Sequence, residues 1–310
     1  MPSATAGTQQ TRRTIAFGLR WDSDVPLHQF EALEGDDVAA DVSVGRSHGP
    51  LKSRDAVITI DNATLCTDGV RYRAGKEAIF DVFGATCVEW MSDEDWTGEI
   101  PAVFFSTLTA LLLAWRGQIP LHGTAVEIGG KAVLICGQSG AGKSTLAAGL
   151  IALGAKLISD DLSVLHAGGR DKAPLLYPGR PALRLFPAIA DFLEDAGVAC
   201  EIRPVAGEKC IVRPPRAALL TPVPLDAMIV LGHEGTPISA SNRAALLQAQ
   251  LFRPRWMRAM PGSEERLAAM QTAAEHLRMF AMEPRDVRNA DAFSGGAERA
   301  LDALRGGLPG

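Results

Sequence analysis

The sequence predicts an α/β fold built around a phosphate-binding loop, with a small β-rich domain in front of it. Three observations carry this. Residues 137–144 read Gly-Gln-Ser-Gly-Ala-Gly-Lys-Ser, the full pattern G-x-x-x-x-G-K-[ST]. The apolar run 132–136 before it reads as a buried strand, and residues 144–153 after it carry apolar residues at helical spacing up to Gly154, a natural C-cap. Residues 155–158 then read as a further strand that ends in Ser159-Asp160-Asp161.

From the N-terminus, residues 1–11 read as disordered and residues 1–100 as the small β-rich domain. Val57–Ile60 and Val70–Arg73 flank a turn at Asp68-Gly69, the pattern of a hairpin, and Ile79–Phe83 is a further strand. Acidic residues gather in two loops, Asp36, Asp37 and Asp41, then Asp93, Glu94 and Asp95; they read as solvated charges, with partner binding as the alternative. A buried helix is predicted over 101–116, and residues 101–310 form the catalytic domain. There a hairpin pairs 123–128 with 131–136 about the Gly129-Gly130 turn. Beyond residue 174, frequent prolines predict loops linking short elements. Residues 227–231 read as a buried strand and 243–281 as helices broken at Pro254 and Pro261. The Gly-rich tail after 295 is expected to fray.

Composition excludes several classes. The net charge of −5 argues against broad nucleic-acid or anionic-membrane binding. The longest apolar stretch, 103–115, is too short to span a bilayer. Residues 1–13 lack the apolar core of a secretory signal. Cys66, Cys87, Cys136, Cys200 and Cys210 show no C-x-x-C or metal-ligand spacing, so a reducing cytoplasm is the expected setting.

The loop residues Gly137, Gln138, Ser139, Gly140, Ala141 and Gly142 are expected to wrap backbone N–H groups around nucleotide phosphates, with Lys143, Ser144 and Thr145 opening the helix. Lys143 would reach the β- and γ-phosphates, Ser144 would bind Mg²⁺, and the helix N-terminus adds partial positive charge. Stepping the hairpin register outward from Ile128 and Lys131 places His122 opposite Gly137, at the mouth of the site. Asp160 and Asp161 stand at a strand's carboxyl end, the edge where open α/β sheets place ligands. One carboxylate can bind Mg²⁺ and the other can take a proton from an attacking hydroxyl. Asp160 follows Lys143 by 17 residues (160 − 143), one helix and one strand later. Arg180, Arg184, Lys209 and Arg213 are candidate cations for the transferring phosphoryl group, Arg184 first. Arg253, Arg255, Arg258 and Trp256 read as a solvated helix face, with an acidic partner as the alternative.

His122-Gly123, the loop 137–144 and Ser159-Asp160-Asp161 together resemble the catalytic core of HPr kinase/phosphorylase, over about residues 120–165. The resemblance implies a P-loop-containing core sheet like that of phosphoenolpyruvate carboxykinase, flanked by helices. It also implies ATP and Mg²⁺ as cofactors and transfer to a serine of a small phosphocarrier protein. The run Tyr177-Pro-Gly-Arg-Pro-Ala-Leu-Arg-Leu-Phe-Pro187 and the first 100 residues resemble better a subgroup that includes the lasso-peptide kinases, which phosphorylate a precursor peptide's C-terminal serine. By this resemblance Asp160 is the catalytic base and Asp161 its acidic, metal-side neighbour. His122, Lys143 and Ser144 match the site histidine, phosphate lysine and metal-binding serine. Two departures stand out. Thr145 occupies the place of the family's glutamate, and Lys209-Cys-Ile-Val-Arg-Pro-Pro-Arg216 only loosely resembles the phosphorolysis signature. The kinase activity is therefore expected, not the phosphorylase.

The expected protein is a cytoplasmic serine kinase whose N-terminal domain positions a peptide or small-protein acceptor; the resemblance implies a homo-oligomer. It binds neither nucleic acid nor membrane. The rivals are an HPr serine kinase of carbon regulation, a nucleotide-gated binding module without transfer activity, and a small-molecule kinase.

Overall fold

A computed structural model of the 310-residue chain describes residues 12–35, 38–47, 51–52, 54–75, 78–92, 100–167, 172–205, 207–215, 221–232, 238–283 and 290–306. The expectations for residues 1–11, Asp36, Asp37, Asp93, Glu94, Asp95 and Arg216 lie outside the described residues. Among the described residues the architecture is mixed α/β with three sheets. The chain divides into two compact units, 1–112 and 113–310.

The first unit is a nine-stranded sheet. Its order is Glu31–Ala32, Arg12–Ala16, Leu19–Ser23, Val42–Arg46, Cys87–Ser92, Ala78–Phe83, Gly69–Ala74, Ala63–Cys66, Ala56–Ile60. One predicted pairing is corrected. Residues 57–60 do not pair with 70–73, because Ala63–Cys66 lies between them and pairs with both neighbours. Asp61, at φ +53, makes the earlier turn that the sequence reading passed over. Trp21, Phe30, Phe104 and Phe105 stack edge-to-face and tilted, with centroids 5.1–6.3 Å apart. The predicted helix over 101–116 forms as a π-helical turn, Phe104–Leu108, running into the α-helix Thr109–Trp115.

In the second unit an eight-stranded sheet positions the site. Its order is Ile119–His122, Leu162–His166, Leu175–Tyr177, Val223–Leu231, Lys131–Gly137, Thr124–Ile128, Lys156–Ser159, with Arg278–Met282 also pairing to Val223–Leu231. Lys131–Gly137, Val223–Leu231 and Arg278–Met282 run parallel, so that Gly137 and Leu231 end level with each other. The helix Lys143–Ala152 covers this sheet. Its Leu146, Ala147, Leu150 and Ile151 are buried in one cluster with Val126, Val133, Ile135, Ile189 and Ile229. Truncating such a residue to alanine costs about 2–5 kcal/mol. Gly154, at φ +97, closes the helix as predicted. Its N–H reaches the carbonyl of Ile151 at 2.9 Å, and the Ala155 N–H reaches that of Leu150 at 3.0 Å.

Two further expectations are corrected. The tail does not fray up to residue 306: Ala290–Gly306 is a helix that buries Ala297, Ala300 and Leu304 against the same cluster, at helical spacing. Within 243–281, the helices Ala240–Gln248, Pro254–Ala259 and Ser263–Glu275 form, but Arg278–Met282 is a strand. The proline-rich part carries short elements, among them Pro187–Asp195 as a helix with proline at its first turn. Trp256 is buried and Arg253 stacks over it at 5.6 Å, so the tryptophan belongs to the core.

Candidate active site

Six backbone positions shape the loop. The strand Lys131–Gly137 delivers Gly137 at φ +146, and Gly140 and Gly142 follow at φ +84 and +95, all beyond easy reach of a residue with a Cβ. A Cβ on Gly137 would stand 2.9 Å from the Leu231 carbonyl oxygen. Residues 138–140 form an exposed crest. Gly142 caps the helix with no side chain over its first N–H groups, which leaves those donors facing outward.

Lys143 folds back over the loop. Its Nζ donates to the carbonyls of Gly137 and Gln138 at 3.0 and 3.1 Å. Burial pulls its pKa below the usual lysine range; Asp160 and Asp161 oppose this and Lys209 adds to it. Thr145 is buried in the helix.

The acidic pair splays apart. Asp161 turns at φ +70, and the Leu162 N–H closes the turn onto the Asp160 carbonyl at 2.9 Å. Asp160 is thereby buried, at 2% exposure, while the Asp161 side chain is 40% exposed. Asp160 Oδ1 accepts from the Thr124 hydroxyl at 2.7 Å and the Ser144 hydroxyl at 2.8 Å. Its Oδ2 accepts from the Arg184 backbone N–H at 3.1 Å. A carboxylate has about four lone-pair sites. Three are used here, and the open one lies on Oδ2. Asp161 turns instead to His122, with Oδ1 and the carbonyl 3.4 and 3.2 Å from His122 Nδ1.

His122 does not pair with Gly137. The hairpin keeps its predicted register from Ile128↔Lys131 to Thr124↔Ile135 and ends there. A Cβ at Gly123 would meet Leu134 Cδ1 at 2.9 Å and the Ile135 carbonyl at 3.0 Å, so only glycine lets the chain leave this close to its partner. Ile119–His122 then pairs with Leu162–His166, His122 facing Leu162. By that route His122 still comes among Lys143, Asp160 and Asp161. Burial and then the Lys143 charge hold its pKa below the ordinary histidine range, against the pull of the two aspartates.

Arg184 meets Asp160 through its backbone, and its side chain is exposed. Arg180 is the buried arginine of the site, donating to the Asp160 carbonyl at 3.3 Å. Sequence reasoning ranked Arg184 above it and missed Thr124. The signal for Thr124 was its place directly after Gly123, opposite Ile135 near the strand end that feeds the loop. A fully buried serine pair, Ser159 and Ser163 at 2.7 Å, braces the same corner, and Ser163 donates to the Gly123 carbonyl at 3.0 Å.

The residues fit Mg²⁺. Ser144 Oγ and Asp160 Oδ1 lie 2.8 Å apart, close to the roughly 2.9 Å edge of an octahedron with bonds of about 2.0–2.1 Å. No helix among the described residues is long and apolar enough to cross a membrane.

Strand, glycine loop, helix and buried acidic strand end thus meet at one corner of a mixed α/β unit. Residues 114–176, which hold it, match the HPr Serine kinase C-terminal domain family. The chain is similar to three curated proteins that carry the enzyme name HPr kinase/phosphorylase. The one from Nitrosomonas europaea is 31% identical over 155 residues, 46% of this chain and 45% of that protein. The one from Azoarcus is 32% identical over 154 residues, 43% and 46%. The one from Lactobacillus acidophilus is 47% identical over 68 residues, 21% and 20%. The chain thus spans less than half the length of the curated relatives it matches. The solved Hpr(Ser) kinase/phosphatase from Coxiella burnetii aligns over 40% of this chain and 73% of its own, at 22% identity and a TM-score of 0.26.

Proposed function

We propose that the protein transfers the γ-phosphoryl group of ATP to a serine hydroxyl on a peptide or small protein, on a P-loop core of the HPr-kinase type. One observation carries this reading above all: the buried Asp160 carboxylate is held by the Ser144 hydroxyl at the first turn of the loop helix. The phosphate end and the proton-accepting end of a transfer site therefore share one side chain.

The loop amides between Gly137 and Lys143 bind the phosphates, and Lys143 leaves its two loop carbonyls for the β- and γ-oxygens. Ser144 and the acidic pair would hold Mg²⁺, which neutralises charge on the phosphate oxygens. Asp160 Oδ2 takes the serine proton as the serine oxygen bonds to the γ-phosphorus. The bond from that phosphorus to the β-bridging oxygen breaks, and ADP leaves. Arg180, whose side chain donates to the Asp160 carbonyl, would steady the phosphoryl charge. A second reading exchanges the aspartates, with Asp161 as base, and the observation for it is Asp161's exposure beside His122. The acceptor is a lasso-type precursor peptide ending in serine or a phosphocarrier protein.

The test is incubation with γ-labelled ATP and Mg²⁺, using a phosphocarrier protein and a panel of serine-ended peptides. Label on a serine of either acceptor supports the reading and names the acceptor class. Tight ATP binding with no label on any acceptor would make the site a nucleotide-gated module instead.

A further inference from the structure

We infer that the outer face of the small three-stranded sheet docks an acidic stretch of the acceptor chain beside the serine to be phosphorylated. This rests on the kinase reading above and adds the acceptor's charge to it. The sheet runs Leu183–Leu185, Cys210–Arg213, Glu201–Pro204. Strand alternation separates its faces. Leu183, Leu185, Cys210 and Val212 are buried in the cluster under the loop helix. The pairs Arg184↔Ile211 and Arg203↔Ile211 place Arg184, Ile211 and Arg203 in one row on the opposite face. Arg213 stands across from Glu201 on that same face. Extending the register sets Lys209 opposite Phe186, and the Lys209 ammonium lies 5.0 Å from that ring's centroid.

Four cations thus share a surface with Glu201. The concentration is local, since the chain as a whole carries −5. The face also starts at the chemistry: the Arg184 N–H holds Asp160 Oδ2 at 3.1 Å. A peptide lying across it, strand to strand, keeps its acidic residues over these cations while its serine reaches the open side of Asp160. Charge complementarity of this kind governs encounter and register.

The experiment uses the full chain with ATP and Mg²⁺. Fluorescence anisotropy follows labelled peptides with a central serine flanked by aspartates, by alanines or by lysines, and a single-stranded oligonucleotide. The acidic peptide is expected to bind about tenfold more tightly than the alanine one, and less so as salt rises. Arg203→Glu is expected to weaken it roughly fivefold with ATP affinity unchanged, and Arg203→Lys to restore it. Equal binding of acidic and neutral peptides, no effect of Arg203→Glu, or oligonucleotide binding as tight as the acidic peptide's would overturn the docking face. Label transfer is read in the same samples. Acidic-peptide binding without transfer overturns the kinase reading and leaves the docking face standing; transfer blind to peptide charge overturns the face alone.

Discussion

Replacing Thr124 with valine removes one of the two hydroxyls that hold Asp160 Oδ1, and little else. Thr124 is fully buried and Asp160 nearly so, so water cannot fill in for the lost donor. A hydrogen bond to a charged group contributes about 1.5–3 kcal/mol. Oδ1 keeps the Ser144 hydroxyl at 2.8 Å, which places the expected loss near about 1.5 kcal/mol. The second unit spans residues 113–310, a size at which each kcal/mol moves the transition by about 2–4 °C, so a fall of about 3–6 °C is expected. Scanning calorimetry on four chains measures it: wild type, Thr124→Val, Asp160→Ala and the double variant. In the Asp160→Ala background the valine change should cost less than about 0.5 kcal/mol, because its partner is gone. Thr124→Ser, which keeps the hydroxyl, should recover most of the transfer rate. An equal cost in both backgrounds would show that Thr124 matters for packing alone and would refute its role in holding Asp160.

Three further outcomes follow from the site. Lys143 is buried and its pKa lowered, chiefly by desolvation. Its protonated form therefore costs stability at pH 7, a cost relieved only as pH rises toward 10.5. Lys143→Met should raise stability by about 0.5–1 kcal/mol in calorimetry while lowering transfer at least about 100-fold. Burial and the Lys143 charge hold the His122 pKa below the ordinary histidine value of 6.5. As pH falls through that value the unfolded chain takes up the proton first, so stability drops from about pH 6.5 down to the folded pKa; Tm against pH should flatten in that window for His122→Asn. Gly137→Ala would press a Cβ to 2.9 Å from the Leu231 carbonyl at φ +146. It should cost about 1–3 kcal/mol and weaken ATP binding, read by titration calorimetry, more than tenfold.

Local signals were legible in the sequence where one segment alone decided them. The turn Gly129-Gly130 set the hairpin register, and Gly154 ended the helix where expected. The acidic pair at the end of Lys156–Ser159 reached the loop because that strand pairs with Thr124–Ile128, the other arm of the same hairpin. What stayed hidden depended on distant chain. His122 leaves the hairpin at Gly123 and pairs with Leu162, a partner far along the chain that no local pattern names. The strand Arg278–Met282 forms because Val223–Leu231 has an edge to fill, although its spacing alone does not exclude a helix. The tail's alanines and glycines looked like fraying, but Ala297 and Ala300 are small so that the helix can close on the loop helix. Thr124 was passed over because a threonine at a strand start is ordinary until a buried carboxylate faces it.

The central claim is that Asp160 accepts the serine proton. The most direct measurement is single-turnover transfer from γ-labelled ATP to a phosphorylatable serine peptide by wild type, Asp160→Asn and Asp161→Asn, with ATP affinity measured alongside. Asp160→Asn is expected to bind ATP within a fewfold of wild type and to transfer at least about 100-fold more slowly at every Mg²⁺ concentration, while Asp161→Asn, which loses a metal-side carboxylate, falls less far and recovers as Mg²⁺ is raised. Full transfer by Asp160→Asn, with the loss falling on Asp161→Asn instead, would contradict that claim.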